Sequence, residues 1–367
     1  MDLDGVLRRA VEMGASDILF KIRLQPITRI NATLAPLRIE ERLSSDELER
    51  LARSIMDDRR WDQFSTTREL DMAYSISTGE RFRVNFFYQR DSIAMVFRAV
   101  PDIPPAIGEL GLPSVVERLA MEHRGLVLVT GTTGSGKTTT LAAMINHINS
   151  SRNCHIITIE DPIEFFHRDR KSIITQREVG RDTLSFHNAL RAALRENPDV
   201  IFVGEMRDEE TIRTAMLAAE TGHLVLSTLH TLDATETIRR IISTFPVEHQ
   251  AAVRFQLAGI LKGVISQRLL VKADGKGRVP AVEVLIPSSR IRECMGDESR
   301  TSEIRDAISE GHISYGMQTF DQSLMQLYKS NLVTYETAMA SASKPDDFAL
   351  FVQGISGISP AKWEMNA

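Results

Sequence analysis

The chain has very few residues from which a disulfide or zinc framework could be built. Only two of its 367 residues are cysteines, and these, Cys154 and Cys294, lie far apart in the sequence. A structural zinc site needs closely spaced thiolate or imidazole ligands, and a disulfide scaffold needs several cysteine pairs. The sequence therefore excludes both frameworks and is typical of a protein in a reducing compartment.

Long apolar runs are absent as well. No stretch approaches the roughly 20 consecutive apolar residues that a transmembrane helix needs. Residues 1–4 (MDLD) carry acidic side chains where a secretory signal peptide carries basic ones. We therefore expect a cytoplasmic chain that does not insert into a membrane directly and reaches one only through a partner protein.

The sequence also lacks an excess of positive charge. It contains 44 Lys and Arg against 49 Asp and Glu, which gives a formal net charge of −5 and no overall attraction to nucleic acid. Hydrophobic residues make up 43% of the chain and charged residues 25%, a composition that supports ordinary globular cores. The length predicts two or three domains.

Residues 1–99 have the pattern of a small α+β domain. Helical spacing of apolar residues occurs in residues 3–13 and again after Ser44. Strand-like alternation occurs in residues 17–22, 27–31, 70–77, 81–88 and 92–99. Residues 100–110 contain Pro101, Pro104 and Pro105 and are predicted to form a stiff linker.

The pattern changes in residues 111–344, which we interpret as a second, α/β domain. Near-continuous apolar strands are predicted at residues 125–130, 155–159, 199–203 and 223–228, each followed by a helical pattern. Such runs indicate a parallel sheet that is covered by helices on both faces. Residues 274–277 (DGKG) predict a hairpin turn. Residues 345–367 form a weakly patterned tail.

A phosphate-binding loop follows the first of these strands. Residues 131–138 (GTTGSGKT) match the pattern GxxxxGK[ST] at every position, between a predicted strand and a predicted helix. Lys137 is expected to neutralise the β and γ phosphates of ATP, and Thr138 to offer its hydroxyl to Mg²⁺. The predicted nucleotide-binding residues here are Gly131, Thr132, Thr133, Gly134, Ser135, Gly136, Lys137, Thr138 and Thr139.

Acidic residues follow two other predicted strands. Residues 160–164 (EDPIE) end one strand, and Glu205 follows another, where an aspartate is usual. Ligands of parallel sheets bind at the carboxyl ends of the strands, so these acids are expected beside the phosphates. ATP hydrolysis needs one acid to hold Mg²⁺ and one to orient the attacking water, and spacing alone does not divide these roles.

Two histidines bracket the predicted strand 224–228. His230 lies at its carboxyl end, where it could sense the γ-phosphate of ATP. His223 lies at the other end and could simply link neighbouring strands. No third ligand stands at a spacing suitable for a metal site.

Four arginines are candidates for charge stabilisation. Arg83 and Arg98 lie on predicted strands of the N-terminal domain, and Arg191 and Arg195 lie one turn apart on a helix predicted at residues 184–196. From the residues alone, each could equally be a solvent-exposed charge.

Several motifs together resemble the secretion ATPases of the type II and type IV pilus group. They are the phosphate-binding loop and residues 159–164 (IEDPIE), 204–208 (GEMRD), 219–223 (AETGH) and 227–231 (STLHT). Residues 14–17 (GASD), 81–85 (RFRVN), 176–180 (QREVG) and 316–319 (GMQT) extend the resemblance over nearly the whole chain. Within that group the chain is similar to the retraction ATPases of twitching motility, the PilT/PilU group.

The resemblance implies a PAS-like N-terminal domain and a RecA-like ATPase domain. It implies that Glu164 is the catalytic glutamate and that Glu205 is the Walker B glutamate, which holds Mg²⁺ together with Thr138. His223 and His230 match the histidine motif of the family, which implies that His223 is a nucleotide-binding residue and His230 a catalytic one. The arginines that the family directs at the nucleotide phosphates correspond to Arg83, Arg98, Arg191 and Arg195.

The resemblance further implies a homo-hexameric motor that hydrolyses ATP to retract type IV pili through an inner-membrane platform protein. Residues 287–294 (PSSRIREC) match only part of the motif typical of retraction ATPases, and Thr132 replaces a frequent proline. Residues 274–277 and 318–335 are more similar to the corresponding segments of an accessory motor, which works with a paralogous ATPase. The alternatives are an ATPase of type II secretion or conjugation, and a weakly hydrolysing regulator that assembles with another motor.

Overall fold

The computed structural model describes residues 1–30, 33–37, 42–100 and 104–354. Contacts divide the chain into two compact units. One comprises Met1–Ile103 together with Glu164–Phe166, and the other comprises Pro104–Ile163 and His167–Ala367. Residues 101–103 of the predicted linker and residues 355–367 of the predicted tail lie outside the described part of the chain.

The first unit is built on an antiparallel sheet with the strand order β3-β2-β1-β6-β5-β4. Its strands are β1 Asp17–Phe20, β2 Ile27–Ile30, β3 Thr33–Pro36, β4 Glu69–Ser75, β5 Arg81–Gln89 and β6 Ser92–Val100, and its helices are α1 Leu3–Glu12, α2 Ser45–Ile55 and α3 Asp58–Thr67. The buried residues of the helices and strands form one core, in which the Phe20 and Phe97 rings meet edge to face at 5.2 Å.

Local sequence signals explain where the elements of this unit begin and turn. Helix α2 starts at a capping box, in which the Ser44 side chain accepts from the Glu47 N–H and the Glu47 carboxylate accepts from the Ser44 N–H. The turn between β5 and β6 places Arg90 and Asp91 at positive φ, which is typical of a two-residue hairpin turn. Helix α3 and strand β3 were not predicted.

The second unit contains a seven-stranded sheet with the order β13-β12-β7-β11-β10-β8-β9. Its strands are β7 Gly125–Thr130, β8 His155–Glu160, β9 Ile173–Glu178, β10 Val200–Val203, β11 Leu224–Leu229, β12 Leu261–Val271 and β13 Arg278–Leu285. All neighbours pair in parallel except β12 and β13, which form the antiparallel hairpin. The predicted parallel sheet is confirmed.

Helices cover both faces of this sheet. They are α4 Val115–Ala120, α5 Lys137–Ser151, α6 Phe186–Ala193, α7 Glu209–Glu220, α8 Ala234–Ser243, α9 Val247–Ile260, α10 Ser289–Gly296, α11 Ile304–Glu310, α12 His312–Tyr315, α13 Phe320–Lys329, α14 Tyr335–Ser341 and α15 Pro345–Val352. Alternate residues of β7 point to opposite cores: Leu126 and Leu128 join one, and Val127 and Val129 join the other. Burial on both faces explains why the central strands read as continuous apolar runs.

Helix α6 is shorter than the sequence pattern indicates. We expected a helix over residues 184–196, but α6 ends at Ala193, and Leu194 caps it. Pro198 disfavours helical backbone at the residue before it, and that residue, Asn197, adopts a positive φ of 52°. Arg195 therefore lies in the turn that follows the helix.

Among the described residues, no helix combines the length and the apolar character that crossing a membrane would require.

Candidate active site

The phosphate-binding loop connects β7 to α5 at the carboxyl edge of the parallel sheet. Gly131 and Gly136 have φ angles of 140° and 92°, a region that residues with a Cβ rarely adopt. A Cβ on Gly131 would lie 2.5 Å from the backbone oxygen of Gln267 on β12. The tight turn therefore requires glycine and brings the loop down onto the neighbouring strand.

Lys137 is the first residue of α5, and its side chain is folded into the loop. Its Nζ donates hydrogen bonds to the carbonyl oxygens of Gly131 at 2.8 Å and of Thr132 at 2.9 Å. The residue is only 8% exposed. These bonds fix the ammonium group inside the loop, where it can meet an anion with little loss of side-chain freedom.

The loop has the properties of a polyphosphate site. No side chain caps the N-terminus of α5, so its first N–H groups point out of the helix and favour a negative charge. Ser135 Oγ is buried, and in the described part of the chain it has no hydrogen-bond partner. A buried polar atom without a partner is costly, and a phosphate oxygen would satisfy it. The residues present thus fit the triphosphate of ATP.

Glu205 and His230 lie at the same edge of the sheet, after β10 and β11. His230 Nε2 lies 3.7 Å from Glu205 Oε2, and Arg207 Nε lies 2.6 Å from the same oxygen. The carboxylate is largely buried, whereas the Arg207 side chain is 76% exposed. Because Arg207 is so exposed, its ion pair with Glu205 adds little stability, and its main effect is to orient the Glu205 carboxylate.

Two hydroxyl groups tie the ends of β10 and β11 together. Ser227 Oγ donates to the Val203 carbonyl at 2.7 Å, and Thr228 Oγ1 donates to the Gly204 carbonyl at 2.6 Å. These bonds hold the two strand ends in register, and this register places Glu205 beside His230 although 25 positions separate them in the sequence.

A cavity of about 500 Å³ opens beside these residues. It is lined by Glu205, Met206, Arg207, Thr228, Leu229, His230, Thr231, Glu236 and Arg240. Charged groups of both signs surround it, so it can accommodate a polar group and ordered water. Arg207, Glu236 and Arg240 were not singled out from the sequence. The signal for Arg207 was its position two residues after Glu205.

The surroundings of His230 favour its neutral form. Burial and the positive charge of Lys137 lower the pKa of His230 from its ordinary value of 6.5, the Glu205 carboxylate opposes this shift, and Arg207 adds to it. The imidazole is therefore neutral at pH 7 and acts as a hydrogen-bonding group. The effect of Lys137 also links His230 electrostatically to the phosphate-binding loop.

The predicted magnesium ligands lie on this edge of the sheet as well. Thr138 is the second residue of α5, and Glu205 follows β10. Within the described ranges, no group of three or more His, Cys, Asp or Glu could hold a metal ion without other ligands. Hydroxyl and carboxylate oxygens suit Mg²⁺, which in nucleotide sites takes its other ligands from phosphates and water.

The acidic segment after β8 divides between two environments. Glu160 is 6% exposed, and its Oε1 accepts from Thr158 Oγ1 at 2.7 Å and from Gln176 Nε2 at 3.1 Å. Glu164 is exposed and groups by contacts with the first unit. Glu160 is thus held within its own sheet, and Glu164 keeps a free approach for solvent.

His223 lies at the amino edge of the sheet, opposite to the edge that bears the loop. Its carbonyl accepts from the Gly125 N–H at 3.0 Å, and its ring Nδ1 lies 2.9 Å from the Ala218 carbonyl oxygen. Because β7 and β11 run in parallel over six residue pairs, roughly 20 Å of strand separates His223 from the loop. Within one chain, this histidine links β7, α7 and β11.

The first unit brings Arg83 and Arg98 side by side. They face each other in the register between β5 and β6. Arg98 Nε donates to Asp17 Oδ1 at 2.9 Å, and Arg83 Nε lies 4.0 Å from Asp71 Oδ1. Both side chains remain substantially exposed, and each lies beside a carboxylate that offsets part of its charge.

Arg191 and Arg195 are both exposed, Arg191 on α6 and Arg195 in the turn after it. The Arg195 N–H donates to the Ala192 carbonyl at 2.9 Å, which is a tighter turn than that of an α-helix. The two side chains therefore do not have the one-turn helical spacing that we expected.

Comparisons with known proteins agree with this architecture. The family model "Type II/IV secretion system protein" matches residues 111–344. The type IV pilus retraction ATPase PilT of Pseudomonas aeruginosa is 44% identical, over 95% of this chain and 100% of its own length. The type IV pilus ATPase PilU of the same organism is 39% identical, over 96% of this chain and 92% of its own.

The same relationship appears among solved structures. A crystal structure of the pilus retraction motor PilT with bound ADP superposes with a TM-score of 0.87. It is 46% identical in sequence and covers 95% of this chain and 98% of that one. The predicted RecA-like domain with a smaller α+β domain is thereby confirmed, and the chain belongs to the type II/IV secretion system protein family.

Proposed function

We propose that this chain is an ATP-hydrolysing motor that drives retraction of type IV pili. The observation that carries the proposal is the convergence of a phosphate-binding loop, Glu205 and neutral His230 at one sheet edge. The near full-length similarity to the retraction ATPase PilT supports the choice of machine.

ATP binding begins at the loop. The N–H groups at the start of α5 and the Lys137 ammonium bind the phosphate oxygens, and Ser135 Oγ gains a partner. Thr138 and Glu205 would hold Mg²⁺, which would supply positive charge beside the β and γ phosphates. Lys137 is already fixed by two carbonyl oxygens, so little reorganisation accompanies binding.

Hydrolysis requires a water molecule that is oriented toward the γ-phosphate. Glu205 and Glu164 are the two candidates for the residue that accepts its proton, and the family resemblance favours Glu164. His230 donates or accepts a hydrogen bond beside Glu205 and reports whether the γ-phosphate is present. Positive charge from Arg83, Arg98, Arg191 and Arg195 stabilises the transition state.

The motor works as a ring of six copies. Arginines supplied by a neighbouring domain or chain make hydrolysis depend on closure, and this dependence couples turnover to movement. His223 contributes to a nucleotide of another copy, because its own loop lies at the opposite sheet edge. The ring acts at the cytoplasmic side of the inner membrane through a platform protein.

A second candidate is an accessory motor that assembles with a paralogous retraction ATPase. The observation in its favour is the 39% identity with PilU over 96% of this chain. Restoration of twitching separates the two roles. A principal motor restores it in a strain that lacks both paralogues, whereas an accessory motor restores it only when the other ATPase is present.

The direct test is phosphate release from Mg-ATP by the purified chain and by Lys137→Ala. The variant lacks the ammonium group, and we expect its kcat/KM to fall by at least roughly 100-fold. Lys276→Ala removes an exposed lysine from the β12–β13 turn and is the matched control. Equal turnover by the wild-type chain and Lys137→Ala would refute the proposal.

A further inference from the structure

A group of five charged side chains lies at the β12–β13 edge of the second unit. Glu283 on β13, Asp233 before α8 and Asp321 on α13 provide three carboxylates, and Arg268 on β12 and Arg305 on α11 provide two guanidinium groups. Glu283 and Asp321 are 5% and 4% exposed. Burying carboxylates costs free energy unless they are paired or hydrogen-bonded, so the partners of Glu283 and Asp321 are important.

Glu283 holds the start of α8. Its Oε1 accepts a hydrogen bond from the Ala234 N–H at 2.8 Å, and both atoms are buried. Ala234 is the first residue of α8, and the turn that leads into this helix carries His230. A displacement of this N–H would therefore move the turn that carries His230.

The turn itself is tightly bonded to α8. Leu232 N–H donates to Glu236 Oε2 at 2.8 Å, and Glu236 N–H donates to Asp233 Oδ1 at 2.7 Å. Thr231 Oγ1 lies 2.7 Å from Thr237 Oγ1. The turn and the first turn of α8 are therefore bonded into one unit, and Glu283 adds a buried hydrogen bond between this unit and β13.

The same group of charges reaches the C-terminal helices. Arg305 Nη2 donates to Asp321 Oδ2 at 2.5 Å, and Asp321 Oδ1 accepts from the Ser343 N–H at 2.7 Å. Arg268 Nη1 donates to the Ser341 carbonyl at 2.6 Å. The segment after α14 is therefore fastened to the sheet edge that also bears Glu283.

A second connection leads from this edge to the phosphate-binding loop. Glu283 is opposite Ser266 in the β12–β13 register, and Ser266 Oγ accepts from Thr130 Oγ1 at 2.9 Å. Thr130 is the residue before Gly131. Glu283 thus lies on the strand pair that supports the loop as well as the turn with His230.

We propose that Glu283 is a positioning residue, which holds the His230 turn in place for ATP hydrolysis and links it to the C-terminal helices. The inference deepens the proposed function and rests on it. An ionised carboxylate is a stronger acceptor than a neutral one, and it faces the positive end of α8. The bond therefore offsets part of the cost of burying the charge.

The charge of Glu283 changes in the physiological range. Burial raises the pKa of Glu283 to about 7, the Ala234 N–H opposes this shift, Asp233 adds to it, and Arg305 and Arg268 oppose it. Because burial disfavours the charged form, ionisation of Glu283 loosens the turn, and the hydrolysis rate should fall as the pH rises through 7.

The test compares three variants of the full chain. Glu283→Gln keeps an acceptor for the Ala234 N–H but cannot ionise, and Glu283→Ala removes the acceptor. Glu336→Gln changes an exposed glutamate on α14 and is the control. Thermal melting verifies that each variant is folded, and kcat and KM for ATP are measured between pH 6 and 8.

We expect Glu283→Gln to lose the fall in kcat near pH 7 while its KM stays within about threefold of the wild-type value. Glu283→Ala should lose roughly tenfold in kcat at pH 6, again with little change in KM. An unchanged pH profile in Glu283→Gln, or an unchanged kcat in Glu283→Ala, would overturn the inference.

Amide hydrogen exchange tests, independently of ATP turnover, whether Glu283 holds the His230 turn in place. Glu283→Ala should accelerate exchange in residues 230–237 and leave residues 1–100 unchanged. Equal exchange in residues 230–237 of the wild-type chain and the variant would overturn the positioning role. If exchange is faster in Glu283→Ala but the wild-type chain does not hydrolyse ATP, the proposed function is refuted and the positioning of the turn by Glu283 is not.

Discussion

At the scale of single residues, the site combines contacts between sequence neighbours with contacts between residues that lie far apart in the chain. Lys137 follows from a continuous eight-residue motif, because the residues that bond to it are its near neighbours. Glu205 and His230 meet only through the register of β10 and β11. The bond from Ala234 to Glu283 spans 49 positions, and no local pattern could have predicted it.

Glu205 provides the first prediction. Glu205→Gln keeps the shape of the side chain but removes the charge that holds Mg²⁺ or activates water. We expect hydrolysis to fall by on the order of 100-fold or more while nucleotide binding is retained. Single-turnover phosphate release and ADP titration measure the two effects. Glu220→Gln, on the exposed end of α7, serves as control, and full activity of Glu205→Gln would contradict the assignment.

His230 is predicted to act as a neutral group. His230→Asn preserves hydrogen bonding without charge, whereas His230→Lys places a permanent cation near Glu205, where it competes for the carboxylate. We expect the Asn variant to keep at least roughly tenfold more kcat than the Lys variant. Comparison of kcat at pH 7.5, with His249→Asn as an exposed control, tests this. Equal or higher activity of His230→Lys would show that a charged side chain works there.

At the scale of elements, apolar runs predicted the buried strands, but the edge strand β9 and the surface helix α3 were not predicted. β9 has one buried residue, Glu178, and lies at the edge of its sheet, where one side faces no strand. α3 buries only Phe64, so its helical periodicity is weak. Edge strands and surface helices are stabilised by tertiary contacts more than by pattern, and such contacts are not local in sequence.

The turn between β7 and α5 depends on the close approach of Gly131 to β12, which a substitution can test. Gly131→Ala places a Cβ 2.5 Å from a backbone oxygen at a φ of 140°, so the turn must shift. Gly275 in the β12–β13 turn has a φ of 69°, but no atom lies within 4 Å of its would-be Cβ. Gly275→Ala should therefore cost only about 1–2 kcal/mol of backbone strain.

We expect Gly131→Ala to abolish measurable ATP binding while Gly275→Ala retains it. Fluorescence titration with a labelled ADP measures both, and circular dichroism verifies that the sheet is intact. Tight binding by Gly131→Ala would mean that the loop does not depend on its close approach to β12.

At the scale of the whole molecule, each of the two units has its own core, and a buried acid in the second makes stability depend on pH. Because its pKa is raised from 4.5 to about 7, Glu283 in the folded chain holds a proton that the unfolded chain has released between these values. The free energy of unfolding therefore falls as the pH rises through this window, by at most roughly 3 kcal/mol from this group.

Glu283→Gln should remove that dependence. We expect the variant and the wild-type chain to melt at similar temperatures at pH 5, and the variant to melt higher at pH 8. Calorimetric scans of the second unit's transition at the two pH values measure the difference. A difference in melting temperature that is the same at both pH values would contradict the raised pKa.

The central claim is that the loop between β7 and α5 binds the phosphates of ATP, with Lys137 as an essential contact. Isothermal titration of the folded full chain with ATP and Mg²⁺ tests this most directly. We predict saturable binding by the wild-type chain and a loss of at least roughly tenfold in affinity, or about 1.4 kcal/mol, in Lys137→Ala. Binding of equal strength in both proteins, or none in the folded wild-type chain, would contradict the account.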